Sequence, residues 1–344
     1  MENLALQRPV QPLWRVVEFT CPNNNDTELI IAYQSKFFIL RSTSANFSDS
    51  PQVKERYLRL LHAAKTLTMD GYTVEDFYNW AIEPLLCVLR NLPIRAGSCF
   101  LDDYLFPEYF FYDLRANAGK VVAVPLESSP RRDMKCQFGV NLPDEACLQW
   151  PSLAPFQVRL CRPCPSTTAA VPPETPSKAV LRDGTVVFVK LARRGDKDNL
   201  LRELDTYAKI SNAPLDDTLL VPRLKSLVRD GIGTVYGLLL TYIDCGHRTL
   251  ARAVPDTPPY LREKWATQIQ QTIRQLHSMG IVWGDVKPDN VLIDSDQNAW
   301  VVDFGGGYTD GWVPSDLAET VEGDLAGLQR LTRFLDVESK REPI

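Results

Sequence analysis

Apolar residues along this chain follow two spacings, and each spacing predicts a different backbone. Short runs rich in β-branched and aromatic residues, bounded by turn-forming residues, predict β-strands. Runs of this kind cover residues 13–20, 28–33, 36–41, 186–191 and 235–243. Two further apolar runs, at 291–293 and 300–302, flank the polar turn 294–298 and predict a hairpin.

Apolar residues spaced three and four apart predict amphipathic helices that bury one face. We predict such helices at residues 51–68, 74–92, 199–210, 259–279 and 316–334. Ser50-Pro51 is a typical helix start, and Gly280 is a typical residue just past a helix end. The run 104–112 is dense in aromatic residues and fits a buried core, with an aromatic wall facing a substrate as the alternative.

The length of 344 residues suits two domains with sizeable cores. We predict an N-terminal α+β domain of unknown type at 1–150 and a second domain at 151–344. Residues 162–177 are rich in proline, serine and threonine and cannot form a packed element, so they predict a linker or an insert.

Composition and charge exclude several classes of partner and location. The net charge is −5 and no block of lysine or arginine occurs, so we expect neither nucleic acid nor a membrane as partner. No apolar run approaches the ~20 residues that span a bilayer, and the N-terminus lacks a signal-peptide pattern. The 8 cysteines are scattered, so we expect reduced thiols, a cytoplasmic location and an incidental Cys161-x-x-Cys164 pair.

The strongest chemical signal lies around the predicted hairpin. Asp285, Lys287 and Asn290 stand close together just before its first strand. Asp303 follows its second strand and precedes Phe304-Gly305. The hairpin would present Asn290 and Asp303 at one end, and hard oxygen atoms of this kind are the ligands that Mg²⁺ prefers.

The order and spacing of these residues resemble the catalytic loop and the DFG segment of the protein-kinase-like superfamily. The resemblance implies ATP as phosphate donor and Mg²⁺ as cofactor. Asp285 would accept the proton of a substrate hydroxyl, and Lys287 would meet the γ-phosphate. Asn290 and Asp303 would hold Mg²⁺.

The resemblance also implies a two-lobed α+β domain, with an N-lobe at about 151–245 and a C-lobe at about 246–344. Lys190 on a predicted strand would bind the α- and β-phosphates and pair with a helix carboxylate. Glu203 is the preferred partner because it shares the apolar face of its helix, while Asp205 is the alternative.

The strand at 235–243 would lead to the hinge that binds adenine. By the resemblance, Leu240 would be the gatekeeper residue, and Thr241 and Ile243 would offer backbone contacts to the adenine ring. Asp324 would brace the catalytic loop, with an exposed helix carboxylate as the alternative. His277 is expected to be a packed or capping residue.

Four departures distinguish this chain from typical protein kinases. Trp283-Gly284 replaces the usual His-Arg before Asp285, which is similar to aminoglycoside-phosphotransferase-type kinases. No Gly-x-Gly-x-x-Gly precedes Lys190, and no Ala-Pro-Glu follows Gly305. The residues after Gly305 are few, so we expect a truncated C-lobe that lacks peptide-docking helices.

These features predict an ATP- and Mg²⁺-dependent phosphotransferase that acts on a hydroxyl group. The missing docking helices favour a small molecule over a protein as the acceptor. An atypical Ser/Thr protein kinase is one alternative, and a nucleotide-binding pseudokinase or scaffold is another. The oligomeric state does not follow from the sequence.

Overall fold

The computed structural model describes residues 14–337, except 24, 34–35, 67, 70, 93–98, 127–136, 162–176, 215–218 and 255–256. The described residues form two compact units, one ending at residue 126 and the other beginning at residue 137. Both units combine helices with sheets, which confirms the predicted α+β class. Cys164 and nearly all of the proline-rich segment lie outside the described residues.

A five-stranded sheet organises the first unit. Its strand order is β1 (Arg15–Thr20), β2 (Asp26–Tyr33), β3 (Lys36–Thr43), β7 (Glu108–Asn117) and β8 (Lys120–Pro125). Strands β3 and β7 run parallel, and the other neighbours run antiparallel. The short strands of this unit are β4 (Thr68–Met69), β5 (Tyr72–Thr73) and β6 (Cys99–Phe100).

The helices of the first unit are α1 (Pro51–Thr66), α2 (Val74–Ile82), α3 (Leu86–Asn91) and α4 (Leu101–Leu105). The prediction of one helix over 74–92 is wrong, because a 3₁₀ turn that contains Pro84 separates α2 from α3. Proline lacks the N–H that a continuous helix needs. The aromatic run forms the end of α4 and the start of β7. Its Phe110 stacks on Phe38 at 5.2 Å and Tyr112 is buried, which supports the core alternative.

A mostly antiparallel sheet organises the second unit. Its strand order is β10 (Ser152–Leu153), β14 (Leu224–Arg229), β15 (Thr234–Thr241), β13 (Val186–Leu191), β12 (Lys178–Val180) and β11 (Arg159–Leu160). Strand β9 (Val140–Asn141) also pairs with β15. The predicted hairpin is confirmed and consists of β16 (Val291–Ile293) and β17 (Ala299–Val301).

The helices of the second unit are α5 (Asp144–Cys147), α6 (Lys197–Asn212), α7 (Leu250–Ala253), α8 (Pro259–Ser278) and α9 (Val321–Val337). A single core joins Tyr207 of α6, Trp265 of α8, Leu331 of α9 and Leu238 of β15. Helix α9 begins later than predicted, because residues 315–317 form a separate 3₁₀ turn. Among the described helices, none has both the length and the apolar character needed to cross a bilayer.

Candidate active site

A cavity of about 240 Å³ in the second unit is lined by Lys190, Glu203 and Asp303, together with Gly305. Lys190 Nζ lies 2.8 Å from Glu203 Oε1 and 2.7 Å from Asp303 Oδ1. The ammonium group therefore bridges a carboxylate of α6 and the carboxylate that follows β17. The structure thus brings Asp303 into contact with Lys190, which lies 113 residues earlier in the sequence.

Helix α6 positions Glu203 through ordinary helical spacing. Leu200 and Tyr207 are buried on the same face, and only 4% of the Glu203 side chain is exposed. Asp205 is 64% exposed and pairs with Lys209 at 2.7 Å. Glu203, and not Asp205, is therefore the helix carboxylate that contacts Lys190.

Burial and charge act in different directions on these three groups. Burial alone would lower the pKa of Lys190, but the Glu203 and Asp303 carboxylates outweigh it, so the pKa is raised. Burial raises the pKa of Glu203, and the Lys190 ammonium offsets only part of this rise. Burial also acts to raise the pKa of Asp303, but Lys190 outweighs it and lowers the pKa below its usual value. Lys190 is thus held as a cation beside an ionised Asp303.

A second cluster of candidate residues lies in the loop before β16. Asp285 Oδ2 accepts hydrogen bonds from Lys287 Nζ at 2.5 Å and from Asn290 Nδ2 at 3.1 Å. Asn290 Nδ2 also donates to the Asp285 carbonyl oxygen at 3.0 Å. Asn290 is buried, so the amide fixes the loop around the Asp285 carboxylate.

Thr309 belongs to this cluster, although no pattern in the sequence predicts its place there. Its hydroxyl donates to Asp285 Oδ1 at 2.7 Å and accepts from Lys287 Nζ at 2.9 Å. A candidate general base must lie within such hydrogen-bond reach of a hydroxyl proton. Thr309 stands in an irregular loop without hydrophobic periodicity, so only the folded structure reveals the contact.

Hydrogen bonds to backbone carbonyl groups hold the two clusters side by side. Val302 N donates to the Asn290 carbonyl oxygen at 3.0 Å, and Trp283 Nε1 donates to the Val302 carbonyl oxygen at 2.9 Å. Asp303 follows with a φ of 67°, a left-handed conformation that is uncommon for a residue other than glycine. The surrounding contacts therefore hold the Asp303 carboxylate in a strained backbone position.

Asp324 of α9 braces the loop that carries Asp285. Its side chain is fully buried and accepts hydrogen bonds from the backbone N–H groups of Trp283 and Gly284, both at 2.8 Å. His277 Nε2 lies 2.8 Å from the same carboxylate. The bracing alternative is confirmed, and the exposed-carboxylate alternative for Asp324 is wrong.

The same loop also packs directly against α9. A side chain at Gly327 would place its Cβ 2.6 Å from Val286 Cβ, so the absence of a side chain allows this close approach. Gly284 adopts a φ of 92°, which favours glycine over the arginine common at this point in protein kinases. The Trp283-Gly284 departure is therefore part of how this loop is built.

The donor set of the two clusters fits Mg²⁺. Asn290 uses its amide nitrogen toward Asp285, and no hydrogen-bond donor from the described residues reaches its Oδ1. Asp303 supplies a carboxylate that is 47% exposed at the cavity. The described residues contain no group of three acidic, histidine or cysteine side chains suited to a metal. Mg²⁺ in phosphoryl-transfer sites needs only one or two protein carboxylates beside the phosphates.

The residues predicted to contact adenine lie on β15 and just after it. Leu240 is buried and pairs with Phe188 of β13. Thr241 N donates to the Arg223 carbonyl oxygen at 2.9 Å, and the Ile243 carbonyl oxygen accepts from Cys245 N at 2.9 Å. These residues do not line the cavity around Lys190, and their role in contacting adenine stays a prediction.

Comparisons with known proteins point the same way. Residues 186–309 match the family model "Protein kinase domain". A stretch of 53 residues is 42% identical to Serine/threonine-protein kinase PKH3 of Eremothecium gossypii, covering 14% of this chain and 7% of that protein. A stretch of 72 residues is 38% identical to Serine/threonine-protein kinase MRCK gamma of Homo sapiens, covering 20% of this chain and 5% of that protein. The similarity thus spans a small part of each relative.

Proposed function

The chain belongs to the protein-kinase-like superfamily, and from this premise we propose that it is an ATP- and Mg²⁺-dependent phosphotransferase. It would move the γ-phosphate of ATP to a hydroxyl group. The observation that carries the proposal is the Lys190 ammonium between Glu203 and Asp303, in a cavity of suitable chemistry. A structural scaffold would not require this partly buried cation between two carboxylates, because removing such a charge from water is costly.

The residues divide the chemistry between binding and proton transfer. Lys190 offers a positive charge to the α- and β-phosphates, and Lys287 offers one to the γ-phosphate. Asp285 orients the acceptor hydroxyl and takes its proton while the hydroxyl oxygen attacks the γ-phosphorus. The bond to the β–γ bridging oxygen breaks, and ADP leaves. Mg²⁺, held by Asn290 and Asp303, would neutralise charge on the phosphate oxygens.

The class of acceptor has two candidates. A small molecule is favoured by Gly284 directly before Asp285, a feature that is similar to aminoglycoside-phosphotransferase-type kinases. A protein serine or threonine is favoured by the matched relatives, both named Serine/threonine-protein kinases. Both candidates use the same hydroxyl chemistry at Asp285.

The test compares purified wild-type protein with Asp285→Asn, measuring ADP formation and transfer of labelled phosphate to a metabolite extract and to a protein panel. We expect Asp285→Asn to lower turnover by about 10²-fold or more while ATP affinity changes little. Asp289→Asn is the matched control, because this exposed carboxylate lies in the same loop. Unchanged turnover in Asp285→Asn would refute the proposed role.

A further inference from the structure

One carboxylate beyond the matched kinase region connects α6 to the loop that follows Asp303. Glu319 Oε1 lies 3.0 Å from Arg202 Nη1 and accepts a hydrogen bond from Gly307 N at 3.1 Å. Arg202 directly precedes Glu203, the partner of Lys190. Glu319 therefore contacts both the helix that carries Glu203 and the loop that extends from Asp303.

The backbone conformations of Gly306 and Glu319 allow this contact. Gly306 has a φ of 78°, and a Cβ at this position would lie 2.6 Å from Glu319 Oε1 and 3.2 Å from Arg202 Nε. Glu319 itself has a φ of 58°, which is uncommon for a residue with a side chain. Such conformations persist where surrounding contacts determine them.

Arg202 also connects to the wall of the cavity. Its Nη2 donates to Asn199 Oδ1, and Asn199 Nδ2 donates to Asp196 Oδ1 at 2.5 Å. Asn199 and Asp196 both line the cavity beside Lys190. A line of polar contacts thus runs from Glu319 along the first turns of α6 to the proposed ATP site.

We propose that Arg202 and Glu319 form a positioning pair that holds α6 in the orientation in which Glu203 contacts Lys190. The inference rests on the proposed phosphotransferase function. Phosphorylation orders loops in many kinases by adding a negative charge that pairs with arginine. Here the negative charge is a carboxylate of the chain itself, so the arrangement requires no phosphate.

The position before Asp285 agrees with this inference. Gly284 offers no cation at the point where protein kinases commonly carry the arginine that receives a loop phosphate. Thr309, one of the hydroxyls in the loop, is bonded to Asp285 and Lys287. Activity should therefore be unchanged by phosphatase treatment of the purified protein.

The experiment uses charge reversal in the full chain. Arg202→Glu and Glu319→Arg are each compared with the double variant that carries both changes. Glu319→Gln separates charge from hydrogen bonding, because its amide oxygen can still accept from Gly307 N. Lys209→Glu is the matched control: it reverses a charge on the same helix and breaks the exposed pair with Asp205.

Three measurements are made on each variant: ADP formation, Mg²⁺·ATP affinity by calorimetry and amide hydrogen exchange in α6. We expect each single reversal to lower kcat about tenfold and to weaken protection of α6, because like charges then face each other. The double variant should recover most of both losses, and Lys209→Glu should keep wild-type kcat. Salt should lower wild-type kcat more than that of Glu319→Gln, because the exposed pair is screened.

Each outcome has a defined meaning. The proposed role of the pair would be overturned if Arg202→Glu and Glu319→Gln both kept wild-type kcat and wild-type protection of α6. It would also be overturned if the double variant failed to recover the losses seen in the single variants. A wild-type protein that neither binds Mg²⁺·ATP nor forms ADP would refute the proposed function. Hydrogen exchange would in that case still show whether the pair anchors α6, so the two failures are distinguishable.

Discussion

Replacing Asp324 by asparagine should loosen the loop that carries Asp285. Asp324 Oδ1 accepts from Gly284 N, while Oδ2 accepts from Trp283 N and lies 2.8 Å from His277 Nε2. An asparagine side chain keeps one oxygen and replaces the other by an NH₂ group, which cannot accept. If the remaining oxygen stays beside Trp283 N and His277 Nε2, the NH₂ group faces the Gly284 N–H, which then has no acceptor.

The magnitude follows from the contacts that are lost. A hydrogen bond to a charged group contributes about 1.5–3 kcal/mol, and a buried donor left without a partner costs about 1–3 kcal/mol. The two ranges count part of the same loss, so they are not simply added. We expect Asp324→Asn to lower the free energy of unfolding of the second unit by about 2–4 kcal/mol. Turnover should fall as well, because Gly284 directly precedes Asp285.

The assay is urea unfolding followed by tryptophan fluorescence, with ADP formation measured at a temperature where the variant stays folded. The two compact units can unfold in separate transitions, which must be fitted separately. Glu322→Gln is the control, because this exposed carboxylate lies in the first turn of the same helix and should change stability by less than about 0.5 kcal/mol. If Asp324→Asn unfolds and turns over like Glu322→Gln, the bracing argument is refuted.

Two further predictions concern the contacts around Asp285 and the metal. Thr309→Val removes the hydroxyl that donates to Asp285 and should lower kcat about tenfold or more. Thr309→Ser keeps a hydroxyl and should retain most activity. Equal kcat for both variants in the ADP assay would contradict a positioning role for Thr309. ATP affinity measured by calorimetry should increase when Mg²⁺ is added, and Asp303→Ala should remove that increase. Equal affinity of the wild-type protein with and without Mg²⁺ would count against the metal site.

The part of the site that could be predicted from the sequence is the part that regular elements carry. Glu203 lies on the buried face of α6 because helical spacing puts it beside Leu200 and Tyr207. The hairpin places Asn290 and Asp303 near each other because strand pairing brings its two ends together. The break at Pro84 could also have been predicted, because proline cannot continue a helix. The prediction of one helix rested on apolar periodicity alone, which does not take the proline into account.

The contacts that were missed lie in irregular segments. Thr309 and Glu319 belong to the stretch between β17 and α9, where no repeating pattern of apolar residues indicates which side chains face the site. Their partners stand far away in the sequence, so local spacing carries no information about them. Gly306 and Glu319 both have left-handed backbone conformations in that stretch, and sequence alone did not identify Glu319 as one of them.

In the proposed chemistry, the charges of the two clusters favour a divalent cation beside the phosphates. Lys190 and Lys287 face the acidic side chains of Glu203, Asp285 and Asp303, so acidic side chains outnumber basic ones in the two clusters. An anionic triphosphate would meet this excess at short range, where the interaction between charges is strongest. Lys190 cannot offset the repulsion alone, because both of its carboxylate partners already contact it. Asn290 and Asp303 would hold that metal, which would supply positive charge beside the phosphates, and Lys190 would contact ATP.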